Sequence, residues 1–185
     1  GTVASDSTAN DYTGTLANSP TWSGEKPALQ FTNSGSLSFD RSSPADYVNV
    51  PDIPNIDDLQ ELSLATWVNL ETTPGGSGYT YMRFVQLGSE KAVLRYVDNN
   101  GMGKLQFFMR IDGSTRGIAV NHAWQTGTWY HVIGTYDGSH IRLYLDGGEV
   151  GTPLAVSGTV DTGDGVRLSH SGSSEALDGL LDDVR

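Results

Sequence analysis

Cysteine is absent from the 185 residues, and that omission removes a disulfide framework, a thiolate metal centre and a cysteine nucleophile together. Positive charge is scarce: 11 Lys and Arg against 22 Asp and Glu leave a formal charge of −11 and a pI of about 4.5. A phosphate lattice rewards a basic face and repels an acidic one, so nucleic acid is not an expected partner. No run approaches the ~20 apolar residues needed to cross a bilayer, and no basic segment followed by an apolar one opens the chain, so no membrane insertion is expected. The i, i+3, i+4 recurrence of a long amphipathic helix is missing as well. Asp57-Asp58-Leu59-Gln60 has room for one helical turn at most. The surplus of carboxylates favours hard cations, and calcium is the first to consider.

Hydrophobic residues make up 37% of the chain and 23 glycines are scattered between apolar runs, which fits one core with many turns. Residues 1–185 are therefore expected to form one domain. From Leu62 to Leu70 apolar side chains alternate, with Leu62, Leu64, Thr66, Val68 and Leu70 on one side and Trp67 on the other. That is the period of a strand. Tyr81 to Leu87, Ala92 to Val97 and Leu105 to Ile111 read as further strands. Leu105, Phe107, Met109 and Ile111 share one side, leaving Phe108 and Arg110 opposite. Asp98-Asn99-Asn100-Gly101 and Asp137-Gly138 are hairpin turns, because Asn, Asp and Gly accept the positive φ such turns require. Trp129 to Tyr136 is apolar on both sides, as a central strand would be. Ile141, Leu143 and Leu145 then point inward with Arg142 and Tyr144 outward. Shorter strands fit Ala28 to Phe31, Ser36 to Phe39, Tyr47 to Val50, Glu149 to Thr152, Val166 to Leu168 and Leu177 to Val184. Gly1 to Lys26 is the least patterned stretch. Many short strands separated by Gly or Asn specify an all-β antiparallel sandwich or barrel.

Three stretches together resemble the laminin-G-like, concanavalin A-like jelly-roll family. They are Leu37-Ser38-Phe39-Asp40 with Asp46-Tyr47-Val48-Asn49-Val50-Pro51 and Leu64-Ala65-Thr66-Trp67-Val68; Gly127-Thr128-Trp129-Tyr130-His131-Val132 running on to Leu143-Tyr144-Leu145-Asp146-Gly147; and Leu177-Asp178-Gly179-Leu180-Leu181-Asp182-Asp183-Val184-Arg185. The resemblance implies a two-sheet antiparallel jelly-roll sandwich over nearly the whole chain. Members usually continue past the final Val-Arg with several more strand residues, so either the chain is trimmed here or its last strand is short; the resemblance leads us to expect a module of a larger, secreted or cell-surface protein. The family carries sugar-binding and adhesion modules alike, so fold alone does not choose between them.

The resemblance also implies a structural calcium site, in which a loop such as Asp6-Ser7-Thr8-Ala9-Asn10-Asp11 curls around the ion with help from the closing strand. Asp6, Asn10 and Asp182 occupy those places, with Ala9 where the family usually has glycine. Calcium takes six to eight oxygens, which such a polar loop can supply; without an ion, Asp6 and Asn10 are turn-capping residues.

For ligand binding, aromatic rings stack on the apolar faces of sugars while Arg, Asn and Asp bond the hydroxyls. Trp124, in the loop Asn121 to Gln125, and the outward set Trp67, Phe108, Arg110, Arg142 and Tyr144 are the expected contacts. Packing and arginine–aromatic shielding of a sheet face compete with that role. Catalysis is not expected. The paired carboxylates of a glycosidase strand are absent, as is a G-x-S-x-G elbow. His131 reads as a hydrogen-bonded core histidine, and His122, His140 and His170 lack the spacing of zinc ligands. The expected function is a non-catalytic, calcium-stabilised carbohydrate-binding module. The alternatives are a protein-binding adhesion module, with Trp124 as anchor, and a glycoside-active enzyme.

Overall fold

A computed structural model describes residues 2–5, 12–42, 44–51, 53, 56–73, 79–161, 163 and 165–185. Two antiparallel sheets face each other. One has eight strands in the order β1 (Val3–Ala4), β2 (Gly14–Ala17), β5 (Tyr47–Val50), β14 (Val166–Ser169), β7 (Tyr79–Leu87), β8 (Ala92–Asn99), β9 (Met102–Ile111) and β10 (Ser114–Asn121). The other has seven, in the order β13 (Gly148–Ala155), β12 (His140–Leu145), β11 (Trp129–Tyr136), β6 (Leu62–Leu70), β15 (Gly179–Asp182), β4 (Ser36–Phe39) and β3 (Thr21–Ser23). This is the jelly-roll sandwich that the alternation and the resemblance imply, with no helix among the described residues.

The alternating residues fill the space between the sheets. Leu64 and Val68 from β6, Phe107 and Met109 from β9, Val132 and Tyr136 from β11, and Ile141 and Leu143 from β12 belong to one buried cluster. The sheets come close together at Gly134 and Phe107. A Cβ added to Gly134 would lie 2.3 Å from Phe107 Cγ, so the missing side chain on β11 is the hole that the ring from the opposite sheet fills. Turns follow the sequence: Asn100 and Gly101 have φ of 55° and 82°, and Asp146 and Gly147 of 49° and 83°.

Four expectations need correction. Ala28 to Phe31 is not a strand; Pro27 withholds a ladder donor just before it, and Phe31 is largely exposed. His131 is not a core residue. It pairs with Trp67 on the outward side of β11, and the two rings stack at 4.9 Å with an interplanar angle of 25°. The closing strand is shorter than Leu177 to Val184 because Asp183, at φ 46°, kinks the chain after β15. Pairing then resumes through Arg185, which exchanges two 2.9 Å backbone bonds with Ala65. Finally, β10 has no counterpart in the sequence reading. It is an exposed edge strand, and Ser-Thr-Arg-Gly at its start gives no apolar alternation.

Candidate functional site

The structure separates the expected ligand residues into three places. Trp67, Arg142 and Tyr144 lie on the outer face of the seven-stranded sheet. Phe108 and Arg110 lie on the outer face of the eight-stranded sheet, on the far side of the sandwich. Trp124 belongs to neither face. These six residues therefore cannot form one site, because alternation assigns inward and outward positions but not which sheet a strand joins.

Trp124 caps the core. Its ring meets those of Tyr130 at 5.0 Å, His122 at 5.1 Å, Tyr96 at 5.7 Å and Phe84 at 6.1 Å, all edge to face. Gly103 is needed beneath it, since a Cβ there would come within 2.8 Å of Trp124 Cδ1. The indole Nε1 and the His122 Nε2 are buried without a hydrogen-bond partner. Burial also holds the His122 imidazole below its usual pKa, against the opposing pull of Asp146.

On the eight-stranded face, Phe108 is not an open platform. The Arg95 guanidinium lies 4.7 Å from the centre of its ring and 4.1 Å from that of Tyr81, while Arg95 Nε donates to Gln106 Oε1 at 2.7 Å. Arg167 covers the Tyr47 ring at 5.4 Å. Arg110 is drawn towards Asp161, 3.6 Å from its Nε. Arg83 is buried and ion-paired to both Glu90 and Glu175. Arg95 and Arg167 thus cover rings while Arg83 and Arg110 pair with carboxylates; Phe108, for which the sequence offers Arg110 as a partner, is shielded by Arg95 instead.

The seven-stranded face is different. One row across it carries His131, Trp67 and Asp182; the next carries Trp129, Asn69, Leu180, Ser38 and Thr21. Arg142 is tied into its own hairpin by Asp137 and by Glu149, 3.7 Å from its Nε. Over the second row runs a groove of about 560 Å³ whose lining includes Trp22, Glu25, Ser38, Asn69, Glu71 and Thr126. Trp22 is 56% exposed at the edge strand β3. Asn69 is 3% exposed, and its Oδ1 is buried without a donor. Burial, then the charges of Asp178, Asp40 and Glu25, hold the Glu71 carboxyl above its usual pKa. Thr21 and Ser38 face this groove, whereas Trp22 pairs with the core residue Leu37, so its exposed ring stands on the other side of β3, at the rim of a groove that holds acceptors without donors. Trp22 was missed in the sequence because it sits in the unpatterned amino-terminal stretch. The available signal was a tryptophan among Pro20, Thr21, Ser23 and Gly24 with no apolar alternation to bury it.

Asp182 accepts from Asn33 Nδ2 and, at 2.8 Å, from the Asp183 amide. Asp6 and Asn10 lie outside the described residues. Among the described residues no three acidic or imidazole side chains converge on a metal position. Asp137, Ser139 and His140 are linked, but in the wrong order for nucleophilic catalysis. Ser139 Oγ donates to Asp137 Oδ1 at 2.7 Å and lies 2.9 Å from His140 Nδ1, so the hydroxyl proton is committed to the carboxylate. Asp137 also accepts from the Ser139 and His140 amides and from Arg142, the pattern of a turn cap.

The family described as concanavalin A-like lectin/glucanases, a laminin-G type, matches residues 40–185. The chain belongs to this superfamily. No curated protein matches it. Among solved structures, domain 4 of AbnA, an extracellular arabinanase from Geobacillus stearothermophilus in complex with arabinotriose, is 19% identical with a TM-score of 0.67. That match covers 98% of this chain and 84% of that one. The enzymatically active domain of bacteriophage CBA120 tailspike protein 2 is 14% identical with a TM-score of 0.62, over 92% of this chain and 28% of that one. The botulinum neurotoxin serotype D binding domain is 12% identical with a TM-score of 0.64, over 99% and 46%. The chain thus spans little more than a quarter of the tailspike chain and less than half of the toxin domain. At these identities the likeness is one of fold, within which binding and enzymatic domains both occur. Among the described residues no helix is long and apolar enough to cross a membrane.

Proposed function

We propose that residues 1–185 are one non-catalytic carbohydrate-binding module of a larger extracellular protein, with the Trp22 groove as its binding surface. The observation that carries this reading is an open tryptophan, 56% exposed, on the edge strand that borders a polar groove containing an unsatisfied amide oxygen. A pyranose or furanose ring presents a C–H face to the indole and hydroxyl donors to Asn69, Glu25 and Glu71. The arabinotriose bound by the arabinanase domain supports the same class of ligand. Trp67, with its ring on His131, extends the surface along β6, whereas Trp124 and Phe108 serve packing and Arg110 pairs with Asp161. Titration of the protein with arabinotriose and other short oligosaccharides, read by tryptophan fluorescence, tests the proposal. Saturable change lost in Trp22→Ala supports it. No response across a broad glycan array, with a protein partner retained in a pull-down that sugars fail to elute, replaces it with the adhesion reading.

Calcium remains part of the proposal as a structural ion held by Asp6, Asn10 and Asp182. The donor set suits it, since two carboxylates and an amide oxygen are hard ligands. The ion would fix the amino-terminal loop to the closing strand. A ligand of the folded state raises its stability, so the thermal midpoint should rise with calcium, fall with chelator, and lose both responses in Asp6→Ala. A midpoint indifferent to both returns the three residues to turn capping.

A further inference from the structure

We infer that the groove selects neutral oligosaccharides and turns away glycans that carry carboxylate or sulfate groups. This rests on the carbohydrate reading and adds to it a ligand class. Among the described residues the groove is lined by two carboxylates, Glu25 and Glu71, and by no Lys, Arg or His. The nearby cations are engaged elsewhere: Lys26 Nζ donates to the Asn33 carbonyl at 2.6 Å, and an Arg41 terminal nitrogen donates to the Ser173 carbonyl at 3.2 Å. The charges of Asp40 and Asp178 also reach Glu71, which faces negative charge from the segments following β3 and β4 and from the one preceding β15.

Hydrogen-bond chemistry selects in the same direction. Asn69, 3% exposed, offers an Oδ1 that receives no donor from the protein. An ionised carboxylate accepts only, so Glu25 and Glu71 also require donors. A sugar hydroxyl supplies a donor; a uronate or sulfate group supplies another acceptor and a like charge. Ser38 and Thr126 adapt to either role. Arg95 and Arg167 lie on the opposite face of the sandwich, over Tyr81, Phe108 and Tyr47, and Arg142, on the groove's own face, is paired with Asp137 and Glu149.

The test compares arabinotriose, xylotriose and cellotriose with trigalacturonate by calorimetric titration at neutral pH in low and high salt. At least one neutral trisaccharide should bind more tightly than trigalacturonate by ~10-fold or more at low salt, with the gap narrowing as salt screens it. The double variant Glu25→Gln, Glu71→Gln, checked for an unchanged fold by circular dichroism, should bring the two classes within about threefold of each other. Equal or tighter binding of trigalacturonate by the unaltered protein overturns the selectivity while leaving the carbohydrate reading standing. Binding of neither class overturns both. The comparison on the unaltered protein decides the matter even if the variant does not fold.

Discussion

Replacing Trp22 by alanine isolates the ring at the groove's rim from the groove itself. An aromatic side chain of this size presents about 250 Å², and 56% of Trp22 is exposed, leaving roughly 140 Å² open. One stacked sugar covers about half of that, roughly 70 Å². At about 25 cal/mol per Å² this contributes about 1.7 kcal/mol, or a loss of about 20-fold in affinity when the ring is removed. Trp22→Tyr keeps a ring face and should recover most of the loss. The assay is calorimetric titration of the three proteins with one neutral trisaccharide, with thermal unfolding alongside, because the covered part of Trp22 gives the alanine variant a lower midpoint. Affinity unchanged in Trp22→Ala, with the fold intact, refutes the placement of the site.

Gly134→Ala should destabilise the protein by roughly 3 kcal/mol, since the new methyl meets a ring that is itself fully buried; a midpoint drop of roughly 6–12 °C in calorimetry is expected at this chain length. Gly24→Ala, where nothing lies within 4 Å, is the neutral control. Glu71 has a folded-state pKa above its unfolded value of 4.5. It therefore opposes folding in full above that raised value, and the penalty disappears as pH falls to 4.5. Glu71→Gln should raise the midpoint at neutral pH, with the advantage gone in melts below pH 4.5. Asp137 is held well below its usual 3.8, first by Ser139 and then by Arg142. Its contribution is present above 3.8 and is lost only as pH falls through the depressed folded value. Asp137→Ala should therefore lower the midpoint at neutral pH, and still lower it at pH 3.8, in a pH series of thermal melts.

Much of the sandwich was legible because alternation reports burial directly. The inward sets of β6, β9 and β12 are those that the sequence separates, and Asn-Gly and Asp-Gly punctuation locates the hairpins between them. The jelly-roll order came from the resemblance, since local pattern does not specify which strands become neighbours across a sheet. Edge elements were the least legible. β3 and β10 bury little, so their sequences carry little periodicity. The site was missed for the same reason: its open ring stands on an edge strand. Asn69, its buried acceptor, is one polar residue at the outward end of an otherwise expected strand. Trp124 misled in the opposite direction, because a tryptophan flanked by Asn, His and Gln looks exposed until the rings of Tyr96 and Tyr130 close around it. Phe108 was legible as outward, but its covering by Arg95 depends on register between β8 and β9.

The chain has four tryptophans, and each contributes one indole N–H resonance. The most direct test of the account is to follow those four signals by heteronuclear NMR during titration with a neutral trisaccharide, with Trp22 assigned from the signal missing in Trp22→Tyr. The account predicts that the Trp22 resonance moves saturably with ligand while that of Trp124 stays in place. Movement of Trp124 with Trp22 unmoved would contradict it and return the ligand to the rim of the sandwich.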